Sequence, residues 1–468
     1  FYLYLIMTKS AEKLYMSYAV KNSEGAALMP SYIIRSMRKM FPQCLKLSYK
    51  DTAQQNSYVT IPRAANSYEQ TETAANVDED IIDSLTGGRL VGSVTSFENF
   101  AECPLRYYLR YGVDLKEREE FTFSPVNFGV VLHAVIREVC DEIKKNGESY
   151  YLISEEKRRE MVKRSVSAIT DIYQNSILKD SSRNSFMIKR MEDLADRTIW
   201  AMGEQLKCGD FVPFVFEHKF NMEVGDGDRK QLMSGTIDRV DICENDTDVY
   251  VRIIDYKTGK KDFNIVKTYY GIDIQLMVYM EAAMKLVAKM RPGKNVLPAG
   301  VFYYNISDPI VSATTESAEE IEDKIKGELR LKGMVNSDKD IAEKMDNTEG
   351  TSLNIPVSRK ADGGFDSRRS KVMNTEQFNM LGRFVDVRAV DTADRIAGGD
   401  IRRSPYKDGQ FSSCDRCPYG AVCGFSVDLP GCNYRKLKKF DDEVLWNNIK
   451  EGVDENGKKM DTGAEERD

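Results

Sequence analysis

Val249-Tyr-Val-Arg-Ile-Ile-Asp-Tyr-Lys257 is the stretch on which the reading of this chain turns. Alternate residues of a strand share a face. Val251, Ile253, Asp255 and Lys257 therefore point one way, and a carboxylate and an ammonium stand side by side at the end of an apolar face. Seventeen positions earlier (255 − 238), Asp238 shares a strand face with Val240 and Ile242 in Gly235-Thr-Ile-Asp-Arg-Val-Asp241. An isolated buried charge costs on the order of several kcal/mol unless it is paired or metal-bound. For a lone D-x-K strand the ordinary reading is a buried salt bridge between Asp255 and Lys257. Here a second aspartate lies one hairpin away, Glu217 sits on the strand before that, and a helix supplies His133. Two aspartates and one imidazole make a hard-oxygen site suited to Mg²⁺ or Mn²⁺. A neighbouring lysine suits phosphodiester hydrolysis, in which negative charge gathers on the attacked phosphate. Gly129, one turn before His133, would let a backbone or ligand approach closely. Glu217 reads equally as a ligand or as an edge-strand charge, and His218, on the opposite strand face, reads as structural.

Working outward, three strand-like runs occupy Val212–Met222, Gln231–Ile242 and Asp248–Tyr256. Asn127–Lys145 repeats Phe128, Val131, Leu132, Val135, Ile136, Val139 and Ile143 with helical period. A helix is expected over Gly271–Lys289 and a strand over Ala299–Ile306. The order is helix, three strands, helix, strand, an α/β fold. Between the first helix and the first strand, a helical insert at about 147–210 holds amphipathic helices. Further helices are expected near Ser317–Leu331 and at Thr375–Ala397. Thr95-Ser-Phe-Glu98 reads as a capping box that starts a helix at about Ser96 and leads into Cys103-Pro-Leu-Arg-Tyr-Tyr108. Residues 1–50 look folded, with a strand at Tyr2–Met7, an apolar stretch at Ala11–Ala19 and a helix at Ser31–Phe41. Residues 51–90 read as a polar linker and 441–468 as a charged tail. The chain starts at Phe1 rather than Met and is read as a fragment.

Of the 468 residues, 41% are hydrophobic and 30% charged, which fits a soluble chain with a sizeable core. The net charge of −7 argues against coating nucleic acid through bulk positive charge, although the field of a single groove can still be basic. No apolar run reaches the roughly 20 residues of a membrane span, and no signal-peptide pattern opens the chain. A cytoplasmic protein without membrane contact is expected. Nine cysteines, an odd number, point to ligand or core roles rather than a disulfide framework. Only two histidines, His133 and His218, are present, which excludes chemistry needing several imidazoles.

Taken with Gln275-x-x-x-Tyr279 and Gly129-Val-Val-Leu-His133, the two strand motifs resemble those of the RecB-type nucleases in the PD-(D/E)XK superfamily. Helix–three strands–helix–strand is that superfamily's restriction-endonuclease-like core, with a mixed sheet. Gln275 and Tyr279 fall four apart on one helix face, within reach of the same site or of a DNA backbone. Cys103 far upstream and Cys414-x-x-Cys417-x₅-Cys423 far downstream resemble the iron staple of AddB-type subunits of AddAB helicase–nucleases. The match covers roughly 90–440, so the nuclease domain is placed at 91–440. Spacing alone leaves zinc open for these four cysteines, although structural zinc usually takes two close pairs. The resemblance implies a [4Fe–4S] cluster on Cys103, Cys414, Cys417 and Cys423, with Cys432 as the competing fourth ligand. Cys44, Cys140, Cys208 and Cys243 read as ordinary core residues.

The stretch Tyr4-Leu-Ile-Met-Thr8-Lys9 is similar to the last motif of superfamily 1 helicases, with Lys9 where an arginine is usual. No G-x-x-x-x-G-K-[ST] occurs, so residues 1–50 are read as a remnant of a degraded helicase-like domain and ATP hydrolysis by this chain is not expected. The resemblance implies Mg²⁺ held by Asp238, Asp255, His133 and the Tyr256 carbonyl, with Lys257, Gln275 and Tyr279 completing the catalytic set. It further implies single-stranded and duplex-end DNA as substrate and an AddA-type helicase–nuclease subunit as partner in a heterodimer. Two other readings stay open: a non-catalytic DNA-end scaffold, and a stand-alone CRISPR-associated RecB-like exonuclease. Retention of Asp238, Asp255 and Lys257 argues against the first, and the helicase-like remnant and the insert argue against the second.

Overall fold

A computed structural model describes residues 8–9, 14–16, 18, 27–42, 76–78, 91–116, 125–172, 182–224, 231–312, 316–429 and 432–465. The chain divides into two compact units, Phe1–Gln70 and Thr71–Asp468. In the first, helix α1 (Tyr32–Met40) starts where expected, with the Ser31 hydroxyl accepting from Ile33 N–H at 3.3 Å. The expected strand Tyr2–Met7 lies outside the described residues, as do most of Ala11–Ala19 and most of the 51–90 linker.

The second unit is built on one mixed sheet. Its strands are β1 (Val91–Ser93), β2 (Val212–Val224), β3 (Gln231–Glu244), β4 (Asp248–Lys257), β5 (Asn295–Asn305), β6 (Lys332–Asn336) and β7 (Val372–Met373). β3 pairs antiparallel with β2 on one edge and with β4 on the other, and β4 pairs parallel with β5. A parallel pair needs a crossover, and helix α6 (Gln275–Met290) supplies it. β6 and β7 extend the sheet beyond β5. With α3 (Pro125–Lys145) ahead of β2, the helix–three strands–helix–strand order is as expected.

Each sheet face buries its own core. Cys243, Ile254, Phe302 and Tyr304 pack with α3 and with α4 (Glu155–Ile172) and α5 (Ser182–Lys207), the two helices of the 147–210 stretch. Val240, Ile242, Val251 and Ile253 pack with α6 and with α9 (Thr375–Ala397). Between β5 and β6 the chain forms α7 (Ala318–Glu328), and α8 (Lys339–Met345) follows β6.

Three expectations need correction. Residues 441–468 are not simply a charged tail: α10 (Asp442–Glu465) lies against α9 and buries Leu445 and Ile449, four apart on one face. Helix α2 (Val94–Glu102) starts two residues early, because β1 pairs with β3 up to Ser93 and Ser93 itself caps Ser96 N–H at 3.1 Å. Glu98 is thereby carried past the position from which a side chain folds back on its own helix end. Finally, a Cβ at Gly129 would meet Thr258 only at an ordinary 3.6 Å, so no close approach demands glycine there.

Between α6 and α9, burial and the neighbouring Glu281 carboxylate push the Asp386 carboxyl up to about 8. The folded chain binds this proton more tightly than the unfolded chain does. The pair's contribution is therefore complete below the ordinary carboxylate range and is lost as pH rises through about 8. Asp386→Asn should raise Tm relative to wild type more at pH 9 than at pH 5, as read by thermal melts. An equal shift at both values would contradict the shared proton.

Candidate active site

The site forms where two strands part. β3 pairs with β1 through Leu232–Ser234 and with β4 from Arg239 onward, which leaves 235–238 between the two partners. At this fork Tyr256 N–H finds no carbonyl on β3 and donates instead to Asp238 Oδ2 at 2.7 Å. Asp238 and Asp255 are both buried, at 8% and 2% exposure, so neither carboxylate is a solvated surface charge. Burial, then the charge of Asp238, pushes Asp255 up to about 6. Lys257 Nζ lies 2.6 Å from Asp255 Oδ2 and donates to Gln275 Oε1 at 2.9 Å. Gln275 Nε2 in turn donates to the Tyr279 hydroxyl at 2.9 Å. Asp255, Lys257, Gln275 and Tyr279 thus form one continuous polar chain from β4 to α6. Gly235 is required by this packing: a Cβ there would come within 2.7 Å of the Phe220 ring and 3.1 Å of Tyr279, whose rings meet edge to face at 5.6 Å.

His133 reaches the fork from α3. Its Nδ1 lies 3.4 Å from Asp238 Oδ2 and 3.7 Å from Glu217 Oε1, and its ring meets Tyr256 edge to face at 5.9 Å. Burial alone would lower the imidazole pKa, but bonding to Asp238 and Glu217 overrides it and raises the group to about 10. Among the described residues, His133, Glu217 and Asp238 are the one set of three whose ligand atoms all fall within 4.8 Å. Glu217 is also a backbone outlier. It holds φ at +48° inside β2, a left-handed conformation that costs about 1–3 kcal/mol in a non-glycine residue and clusters at functional sites. Nothing in the local pattern of β2 announces that kink.

Two polar groups at the site's margins escape sequence reasoning. Arg239 and Asp241 alternate with Asp238 and so face the opposite way. There Arg239 grips Asp241 through two bonds of 2.7 and 2.6 Å, and Arg252 Nε adds a third at 2.9 Å, all at or below 1% exposure. Burial works against the Asp241 anion, but the two guanidiniums hold its carboxyl below the usual range. The second group joins Glu98, Lys261, Asp273 and Tyr303 beside the start of α6.

Cys103, Cys414, Cys417 and Cys423 line one small, mainly apolar pocket with Leu105, Leu109 and Phe425, whereas the buried Cys432 is not among its lining. Burial pushes the thiols of Cys103, Cys414 and Cys423 up. Cys103 caps α2, and Tyr107 packs edge to face on Phe100 at 5.6 Å. Cys140 and Cys243 are core residues, Cys208 is half-buried, and Cys44 lies outside the described residues.

Residues 92–424 match the family model of the PD-(D/E)XK nuclease superfamily. The chain belongs to that superfamily. It is 31% identical, over its whole length, to the ATP-dependent helicase/deoxyribonuclease B-subunit of Lachnoclostridium phytofermentans, 44% of which it covers. Over 98% of its length it is 30% identical to the protein of the same name from Clostridium acetobutylicum, again across 44% of that relative. The corresponding protein of Caldanaerobacter subterraneus subsp. tengcongensis is 31% identical over the whole chain and 45% covered. The chain thus spans less than half the length of these curated relatives. Among the described residues no helix is long and apolar enough to cross a membrane.

For this superfamily member, the donor set fits a divalent ion: the carboxyl groups of Glu217 and Asp238 and one imidazole lie together, with Asp255 outside that group and paired to Lys257 alongside. At pH 7.5 His133, raised to about 10, carries a proton that a metal bound to its ring would displace. Calorimetric titration of the protein with Mn²⁺ in two buffers of different ionisation enthalpy should therefore show release of about one proton. The His133→Gln variant should show almost none. Buffer-independent heats for the wild type would contradict the assignment of His133.

Proposed function

We propose that the chain is a Mg²⁺-dependent deoxyribonuclease that hydrolyses phosphodiester bonds of single-stranded DNA. The observation that carries this reading is the joining of Asp238, Asp255, Lys257, His133, Gln275 and Tyr279 at one fork of the sheet. Their side chains come from two strands and two helices. His133, Asp238, Asp255 and the Tyr256 carbonyl would hold Mg²⁺, with Glu217 as a further oxygen donor. When bound, the ion polarises the phosphodiester and lowers the pKa of water at the site. Lys257 does the protein's own share. Anchored between Asp255 and Gln275, its ammonium is set to stabilise the negative charge that builds on the attacked phosphate. Tyr279, whose hydroxyl burial keeps protonated, holds Gln275 in register.

The relatives' names support a place in a helicase–nuclease complex. There this chain would process single-stranded and duplex-end DNA during double-strand-break resection and recombinational repair in the cytoplasm. An AddA-type subunit would supply the motor. The four cysteines support a [4Fe–4S] cluster as a clasp. Their grouping, one distant cysteine and three close together, departs from the two close pairs that structural zinc usually takes. Cys103 and Cys414 are 311 positions apart (414 − 103), and a cross-link closing so long a loop is worth at most about 4–5 kcal/mol by analogy with a disulfide.

Cleavage of a labelled single-stranded oligonucleotide with Mg²⁺ tests the nuclease reading. Asp255→Ala and Lys257→Ala should each abolish cleavage while circular dichroism stays unchanged. Cleavage at the wild-type rate by either variant would overturn the site. Separately, anaerobically purified protein should contain iron and absorb in the visible. Stoichiometric zinc without iron would overturn the cluster and leave the nuclease reading intact.

A further inference from the structure

Helix α6 carries both Gln275 and Tyr279, yet its own N-terminus is poorly built. The first N–H groups of a helix need outside partners, and the N-cap residue here is Ile274, whose side chain accepts nothing. The missing acceptor arrives from α2. Glu98 Oε1 accepts from Ile274 N–H at 2.9 Å and from Gln275 N–H at 3.0 Å, across more than 170 residues of sequence. A carboxylate at this end also complements the helix dipole. The preceding residue is locked as well: Asp273 Oδ1 pairs with Lys261 Nζ at 3.0 Å and accepts from the Tyr303 hydroxyl at 2.6 Å. Lys261 Nζ in turn lies 4.5 Å from the centre of the Tyr303 ring, and Lys257 Nζ lies 5.6 Å from the same centre.

Gln275 is therefore held at both ends. Its backbone rests on Glu98, and its side chain holds Lys257 and Tyr279. From this geometry we infer that Glu98 is a positioning residue for cleavage, which sets the N-terminus of α6 so that Gln275 can aim the Lys257 ammonium. The inference rests on the role proposed above for Lys257. It also gives α2 a second task, because the helix that supplies the cap ends at Cys103, the first thiol of the cysteine pocket. Burial pushes the Glu98 carboxyl up to about 7, while the charges of Lys261 and Lys257 and the Gln275 N–H bond favour its anion.

A double-mutant cycle in the full chain tests this, with kcat and KM read on a single-stranded oligonucleotide in saturating Mg²⁺. Glu98→Ala and Gln275→Ala should each lower kcat about tenfold, with KM within about twofold of wild type. Combined, they should fall no more than about twofold below the worse single variant, since both break one line of contact. Glu98→Gln, whose amide oxygen can still accept both N–H bonds, should stay within about threefold of wild type. Additive losses of about a hundredfold in the double variant would overturn the inference, as would a Glu98→Gln variant as poor as Glu98→Ala. If Glu98→Ala does not fold, the same cycle with Glu98→Asp, too short to reach both groups, decides it. Lys257→Ala separates the two readings. Wild-type cleavage by that variant sinks the site itself, whereas an inactive Lys257→Ala with an additive cycle sinks only the role of Glu98.

Discussion

The candidate site depends on β3 and β4 parting company just before Arg239 and just after Ile254. A ladder that continued would pair Tyr256 with β3 through backbone atoms and leave no opening. Instead Asp238 takes the Tyr256 N–H with its side chain, so one carboxylate both ends the ladder and stands at the site. A buried N–H without an acceptor would cost about 1–3 kcal/mol. Asp238 Oδ2 meets that need. The imidazole of His133 approaches the same Asp238 oxygen and also faces the kinked Glu217 of β2.

Charge is distributed across the sheet according to the faces of β3 and β4. On the α6 face, Asp238, Asp255 and Lys257 continue the apolar rows of Val240, Ile242, Val251 and Ile253 into the site. On the α3 face, Asp241 is gripped by Arg239 and Arg252 in a dry setting. A buried ion group of this kind is weak evidence for net stability, but removing one partner costs about 3–5 kcal/mol because the others are left uncompensated. Its geometric effect is to fasten β3 to β4 immediately beyond the fork. The strands can then diverge at one defined point, with α6 braced from the far side by Glu98.

What could be read in the chain follows the range of each signal. Strand parity is local, and it places Asp238, Asp255 and Lys257 on one face without any knowledge of the fold. The i, i+4 spacing of Gln275 and Tyr279 puts both on one helix face, where they bond to each other. Glu98 shows the limit of local reasoning. Its position suggests a capping box, and it does cap a helix, but one that is distant in sequence and adjacent only in space. Glu217 depends on a backbone kink that no residue type announces. Residues 441–468 mislead for a different reason: their charges outnumber Leu445 and Ile449, although that i, i+4 pair marks a buried stripe. The cysteine spacing singles out Cys423 over Cys432, and the fold gathers Cys423 with Cys103, Cys414 and Cys417.

The central claim is that the fork is a divalent-metal site organised on Asp238. Crystals soaked in Mn²⁺ test it most directly, because anomalous scattering locates the ion without assumptions about activity. The expected result is a peak bounded by Asp238 and His133, with oxygen ligands at about 2.2 Å drawn from Asp255, the Tyr256 carbonyl or Glu217, and no such peak in an Asp238→Ala variant. An ion bound elsewhere, or a peak at the fork that survives loss of the Asp238 carboxylate, would contradict it.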